Sequence, residues 1–243
     1  MALTLLCLGQ VSRAADDRRA QEIVDGVSRL FVSKSCIATL EMNIITADWQ
    51  RRIWMQFWSL GERDILVRIF QPSDDAGTSI LKVGDQTWNY LPKAKRTVAM
   101  PASMMTTPLM GGHFTLNDLV GQSRLTEDYA ITTVFDGQRD GVAVSEFSLI
   151  PKPQAAVVWG RISLEVRQTD LMPVWERYYD EDGNLIRQLS FYDYKTVSGR
   201  LIPTRLVMRP SSPTGEETTI TYQNIVFDQP ISEDIFSLSH LQQ

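Results

Sequence analysis

From Cys36 onward the chain is a succession of short runs rich in β-branched and aromatic residues, cut at near-regular intervals by residues that turn a chain. The punctuation stands at Val83-Gly84-Asp85-Gln86, Asp136-Gly137, Asp140-Gly141, Asp182-Gly183-Asn184 and Ser198-Gly199. Each allows the positive φ that a tight hairpin needs. About a dozen strands result. Helical segments do not alternate with them, which excludes parallel βαβ units and predicts a meandering antiparallel sheet long enough to curl.

The strands differ in what their faces bury. Ile162, Leu164 and Val166 alternate with Arg161, Ser163, Glu165 and Arg167, the pattern of one buried and one wet face. Between Trp49 and Trp58, Ile53, Met55 and Phe57 share one face while Trp54 and Trp58 share the other. That strand is apolar on both sides, so it is either sandwiched or lines a cavity.

Two segments break the pattern and supply covers for a concave face. Asp16 to Ser33 carries Ile23, Val24, Val27, Leu30 and Phe31 at the spacing of one helical face. Pro101 to Leu109 reads as a loop with a helical turn, and Thr115 with Asp118 forms a capping pair for a short helix over Thr115 to Val120.

With 243 residues and 43% hydrophobic content, the chain has enough apolar material for one large domain, and no composition break divides it. Its 24 basic and 29 acidic residues give a net charge of -5, which disfavours nucleic acid as a partner. The apolar run from Ala2 to Gly9, followed by Ser12-Arg13-Ala14, reads as a secretory signal peptide over residues 1–15, leaving 16–243 as the domain. No Lys or Arg precedes that run, so the leader is read as truncated at its start, with a buried segment as the other reading. The run is too short to span a bilayer, and no later segment approaches the ~20 apolar residues required. Cys7 lacks the flanking small residues of a lipid-modified cysteine. Cys36, beside Ile37, reads as a small buried hydrophobe.

Familiar catalytic arrangements are missing from the sequence. His113 and His240 stand far apart without cysteine partners, so no zinc set assembles, and His113 reads as structural. There is no G-x-S-x-G elbow, Walker loop or dinucleotide fingerprint, and Gly111-Gly112 reads as a bend. Asp180 to Asn184 has Ile186 where a calcium loop needs glycine and Phe191 where it needs its bidentate acid, so a hairpin turn explains it better. No catalytic residue, metal ligand or cofactor is expected. Lys93, Lys95 and Arg96 form a basic run near a strand end, read either as a solvated turn or as a docking patch for an acidic partner.

Asn89-Tyr90-Leu91-Pro92-Lys93-Ala94-Lys95-Arg96, followed by Leu109-Met110-Gly111-Gly112-His113-Phe114-Thr115-Leu116-Asn117-Asp118-Leu119, resembles the LolA-like outer-membrane lipoprotein-sorting family. The likeness continues through Leu149 to Pro153, Met172-Pro173, Tyr178 to Asp180, Phe191 to Tyr194, Gly199 to Thr204 and Asp234 to Phe236. One departure is Gly112-His113, where relatives commonly carry Ser-Asp. The resemblance implies a mainly β (α+β) fold, an unclosed antiparallel β-barrel with an N-terminal helix and a helical lid. It also implies a hydrophobic cavity, a periplasmic location and no catalytic residues.

The implied role is that of a carrier for lipoprotein or lipid cargo. Each buried CH₂ is worth about 0.8 kcal/mol, so a 16-carbon chain needs an interior that replaces roughly 12 kcal/mol of transfer energy. The expected acyl-cavity residues are Trp54, Trp58, Ile65, Val67, Ile69, Trp88 and Tyr90, with ordinary core as the other reading. Met100, Met104, Met105, Leu109, Met110 and Phe114 belong to the expected lid, where methionine conforms to varied chains or simply fills gaps. Expected partners are an inner-membrane transporter of ABC or RND type and an outer-membrane acceptor, with the carrier a monomer. The rival reading is a lipid-sensing envelope-stress regulator resembling RseB.

Overall fold

The computed structural model describes the backbone of residues 4–121 and 125–242, and side chains from Asp16 onward, except those of residues 122–124 and 243. The leader expected over residues 1–15, with Cys7, lies outside the residues whose side chains are described.

Thirteen strands form one sheet, in the order β6-β5-β4-β3-β2-β1-β13-β12-β11-β10-β9-β8-β7. Strands β6 and β7 stand at its two ends, so the sheet is not closed. Every pairing whose register is given is antiparallel. The mainly-β, unclosed antiparallel sheet with an N-terminal helix is therefore as expected from the sequence. The chain divides into two compact units, with β11 passing from one to the other between Ser190 and Phe191.

The first unit holds helix α1 (Thr4–Ser28), helix α3 (Leu125–Asp128) and strands β7 (Tyr129–Arg139), β8 (Val142–Pro151), β9 (Arg161–Arg167) and β10 (Pro173–Tyr179), with the start of β11 (Leu185–Val197). Helix α1 buries Ala20, Val24 and Val27, which recur at i, i+4 and i+7, and packs on β7. It ends five residues short of the Ser33 expected from periodicity, and Leu30 and Phe31 fall beyond it.

Two further expectations are corrected here. Asp136-Gly137 is no turn: it lies within β7, opposite Ser145 and Val144. Asp136 is held there because its carboxylate accepts hydrogen bonds from Ser145 Oγ and from Gln168 Nε2, the latter at 2.6 Å. The face of β9 expected to be wet is buried at Ser163 and Glu165. Glu165 tolerates this because Arg139 ion-pairs with it and also reaches Glu146 at 2.6 Å. The other turns stand where expected: Asp140 and Gly141 have φ 51° and 79°, and Ser198 and Gly199 have φ 50° and 79°.

The second unit holds β1 (Ser35–Ile45), β2 (Gln50–Leu60), β3 (Asp64–Gln71), β4 (Ser79–Val83), β5 (Gln86–Leu91) and β6 (Arg96–Ala99), then α2 (Leu116–Val120), the rest of β11, β12 (Arg200–Pro210), β13 (Glu217–Phe227) and α4 (Leu238–Leu241). Phe31 opens this unit and stacks on Tyr222 of β13, with ring centroids 4.9 Å apart and 9° between planes. That stack is the tertiary contact that draws the residue out of the helical stripe.

Candidate functional site

Register sorts the side chains of the second unit onto two faces. On the first, Ala38, Leu40 and Met42 of β1 stand opposite Phe57, Met55 and Ile53 of β2, and Phe57 and Met55 stand opposite Val67 and Ile69 of β3. Ile44, Ile65 and Ile80 extend this face. Leu40, Met42, Ile44, Ile53 and Met55 are each at most 1% exposed, so the face is thoroughly removed from water.

The expected cavity residues divide between the two faces. Ile65, Val67 and Ile69 belong to the face just described. Trp54, Trp58, Trp88 and Tyr90 point the other way, because Trp58 pairs with Leu66, Leu66 with Leu81, and Leu81 with Trp88. The C-terminal segment covers that second row. Phe236 and Leu241 form a buried cluster with Leu66 and Leu81, and Trp58, Trp88 and Tyr90 pack against it. Arg68 pins the cover: its Nη2 donates to the His240 carbonyl at 2.6 Å and its Nε to Ser79 Oγ at 3.2 Å. Trp54 lies further along, 6.4 Å from the Phe70 ring.

The first face has a lid. The chain from Pro101 to Gly121 forms 3-10 turns at Ala102–Met104 and Leu109–Gly111, then α2. Thr115 and Asp118 make the expected capping box, with the Thr115 hydroxyl accepting from Asp118 N–H at 3.2 Å and the Asp118 carboxylate from Thr115 N–H at 2.7 Å. Leu109 N–H donates to Phe114 O at 2.7 Å and Asn117 N–H to Met105 O at 2.7 Å, so the lid is braced on its own backbone.

Leu109, Phe114, Leu116 and Val120 are the buried side chains of the lid. Met100, Met105 and Met110 are half-buried and Met104 is exposed, so none of the four methionines is fully buried. Leu116 and Val120 were not singled out in the sequence, although their i, i+4 spacing behind a legible cap was the available signal.

Gly112 seats the lid on the sheet. A Cβ there would stand 2.9 Å from Thr218 Oγ1 and 3.2 Å from Ile44 Cδ1, so only glycine lets the backbone come this close. Next to it, His113 N–H donates to Thr218 Oγ1 at 3.0 Å, and its Nε2 lies 3.1 Å from Glu216 Oε2. The Ala47 N–H first, and then His113, hold the Glu216 carboxyl below its ordinary range.

Towards β5 the lidded face becomes polar. Lys82 and Thr87, directly opposite each other, are both buried. Burial draws the Lys82 ammonium below the ordinary lysine range, against the pull of Asp85, Glu62 and Asp64. Asn89 Oδ1 is buried with no hydrogen-bond partner. Sequence reasoning missed this end of the face, because a polar residue alternating within a strand normally signals solvent. Lys93, Lys95 and Arg96 lie exposed at the loop joining β5 to β6.

A separate open pocket of about 280 Å³ lies within the first unit, lined by Asp16, Asp17, Arg19, Ala20, Ile23, Thr132, Thr133, Asp136, Ser145 and Phe147. Its lining is mostly polar. Among the described residues no three His, Cys, Asp or Glu side chains gather to hold a metal, and no helix is long and apolar enough to cross a membrane.

The model of DUF1329, a family described as uncharacterized protein, matches residues 61–243, a span containing most of the sheet and all of the lid. The chain belongs to this family. Its fold is also that of solved relatives. A DUF1329 family protein from Desulfovibrio piger superposes with a TM-score of 0.83 at 19% identity, covering 93% of this chain and 99% of that one. A domain described as an outer membrane lipoprotein-sorting protein from Vibrio parahaemolyticus has a TM-score of 0.80 at 24% identity, covering 93% of this chain and 100% of its own. A LolA superfamily protein from Nitrosomonas europaea has a TM-score of 0.76 at 20% identity, covering 91% and 98%. No curated protein matches the sequence. At these identities the structural likeness is one of fold, and it agrees with the LolA-like resemblance of residues 89–119. Within DUF1329 the lid of this chain thus sits on a LolA-like sheet.

Proposed function

We propose that this DUF1329 protein is a periplasmic carrier that takes the acyl chains of a lipoprotein or lipid between the lidded face of its sheet and the lid, and shuttles them between envelope membranes. The observation that carries the reading is the lid itself. Leu109, Phe114, Leu116 and Val120 are buried in a segment whose Gly112 lies on Ile44, in a fold shared with a lipoprotein-sorting domain.

Such an arrangement suits exchange. Apolar lid side chains shield the face from water when no cargo is held, and a chain that enters replaces their contacts with its own. The net binding energy is then much smaller than the gross transfer energy, which permits release. In this reading Ile65, Val67 and Ile69, with Ile53 and Met55, contact the hydrocarbon, and the half-buried methionines adapt to its shape. Trp58, Trp88 and Tyr90 serve instead beneath the C-terminal cover, and Trp54 stands beside Phe70 on the same face. The role is binding, without a chemical step. An inner-membrane transporter of ABC or RND type would load the carrier and an outer-membrane acceptor would unload it, with Lys93, Lys95 and Arg96 as the docking patch for an acidic surface.

Titration of delipidated protein with a fluorescent fatty acid or lipopeptide tests the reading. Saturable uptake is expected, weakened by bulky substitution at Met55 or Val67. Absence of saturable uptake in folded protein would end the proposal.

A further inference from the structure

A short stretch of the lid, Gly112 and His113, meets β13 at Thr218. Met110 and Gly111 both take positive φ, 53° and 81°, and this bend leads into Gly112 and His113. His113 then makes polar contacts through its backbone and both ring nitrogens. Its N–H donates to Thr218 Oγ1 at 3.0 Å, its Nδ1 lies 2.9 Å from the same oxygen, and its Nε2 lies 3.1 Å from Glu216 Oε2. The other Glu216 oxygen accepts the Ala47 N–H at 2.9 Å. One carboxylate therefore joins the lid, the turn between β1 and β2, and the start of β13.

Both charge states of the imidazole satisfy this geometry. In the neutral ring the Thr218 hydroxyl donates to Nδ1 while Nε2–H donates to Glu216. In the imidazolium Nδ1–H donates to Thr218 Oγ1, and the bond to Glu216 becomes charge-assisted, the stronger class. We infer that His113 is the positioning residue that latches the lid onto β13, and that gain of a proton by its imidazole tightens the latch. The inference rests on the carrier reading only for its purpose, since the latch itself is a property of the protein without cargo.

Among the described residues, the charged groups around the latch come from three elements. Just before β13 the ring faces Glu216. Glu217, one residue on, projects to the opposite face, where Arg209 of β12 holds it at 2.7 Å. The turn between β1 and β2 contributes the Ala47 N–H, with exposed Asp48 beside it. Within the lid, Asp118 is engaged in the Thr115 cap. Because Glu216 is held below the ordinary carboxylate range, it stays ionised across the interval in which imidazoles change charge.

Hydrogen exchange of the lipid-free protein, at about pH 5.5 and about pH 7.5 and corrected for intrinsic rates, tests the latch on the Leu109, Gly112 and Leu116 amides. In the unsubstituted protein these amides should exchange about three- to fivefold more slowly at the lower pH, the range of a partly exposed ion pair. His113→Leu should speed their exchange at both pH values. His113→Gln retains a donor for Glu216, so it should restore protection at the higher pH while abolishing the pH step, and Glu216→Gln should abolish the step as well. Amides of β1 in the same spectra report that each variant is folded. Lid exchange in His113→Leu equal to that of the unsubstituted protein would overturn the inference, as would a pH step surviving in His113→Gln. Because no lipid is present, a working latch with no fatty-acid uptake would remove the carrier reading and leave the latch standing.

Discussion

Gly112 of the lid and Thr218 of β13 are packed so closely that a methyl group on Gly112 would stand 2.9 Å from the threonine hydroxyl oxygen. The same methyl would meet Ile44, a residue with no exposed surface. Gly112→Ala should therefore destabilise the protein by about 1–3 kcal/mol, the range for overpacking. Thermal melts should show a loss of roughly 2–4 °C for each kcal/mol. An unchanged melting temperature would mean that the lid yields without resistance.

Burial pushes the Cys36 thiol up to about 12, with Arg200 opposing the shift and Asp228 adding to it. The native protein should resist thiol reagents at neutral pH and react only as it unfolds. The unfolded thiol titrates near 8.5, so its folded value is the higher one. Stability contributed by this group is then complete below about pH 8.5 and is lost as pH rises towards about 12. Denaturant titrations of Cys36→Ala should show a shallower alkaline decline than those of the unsubstituted chain.

Leu241 is fully buried on Leu66 and Leu81, in a cluster that Trp58 and Trp88 adjoin. Leu241→Ala should cost about 2–5 kcal/mol. Because the indoles lie at the edge of this cover, their fluorescence should shift to the red before global unfolding. Emission that moves only with the main transition would show that the C-terminal cover is not a separate layer of stability.

Arg139 joins Glu146 and Glu165, and the Glu165 side chain is only 6% exposed. Arg139→Met strands a carboxylate in a place it cannot leave. The cost should be about 1–3 kcal/mol, less than for a fully buried pair because the Arg139 side chain is 38% exposed. Adding Glu165→Gln should recover part of that loss in a double-mutant cycle, and strict additivity would refute the coupling.

The buried Asn89 Oδ1 accepts no hydrogen bond, so Asn89→Leu should leave stability unchanged or raise it by about 1 kcal/mol. Chemical denaturation measures this directly. A clear loss of stability would show that the amide is bonded in solution.

Local chemistry was legible in the residues themselves. The Thr115–Asp118 cap depends on groups three positions apart, and the turn at Asp140-Gly141 depends on two residues that accept positive φ. Both rest on groups adjacent in the chain, and both stand where the sequence placed them. Asp136-Gly137 carries the same signal and was misread, because Ser145 and Gln168 bind the aspartate from other parts of the chain and keep it in β7. Glu165 misled for a similar reason, since its burial depends on an arginine 26 positions away.

What the sequence determined by itself was an antiparallel sheet, apolar on both sides at β2, with a cover at its start and another in its middle. Alternation fixes which side chains share a face, but it does not say what lies against that face. That was decided by tertiary structure: the lid took the side of Ile53 and Met55, the C-terminal segment took the side of Trp58 and Trp88, and His113 found Glu216. The reason is physical. Periodicity is a property of neighbours along the chain, whereas a covered face is a contact between segments far apart in sequence, chosen by shape and by the few polar groups that must be satisfied where they meet.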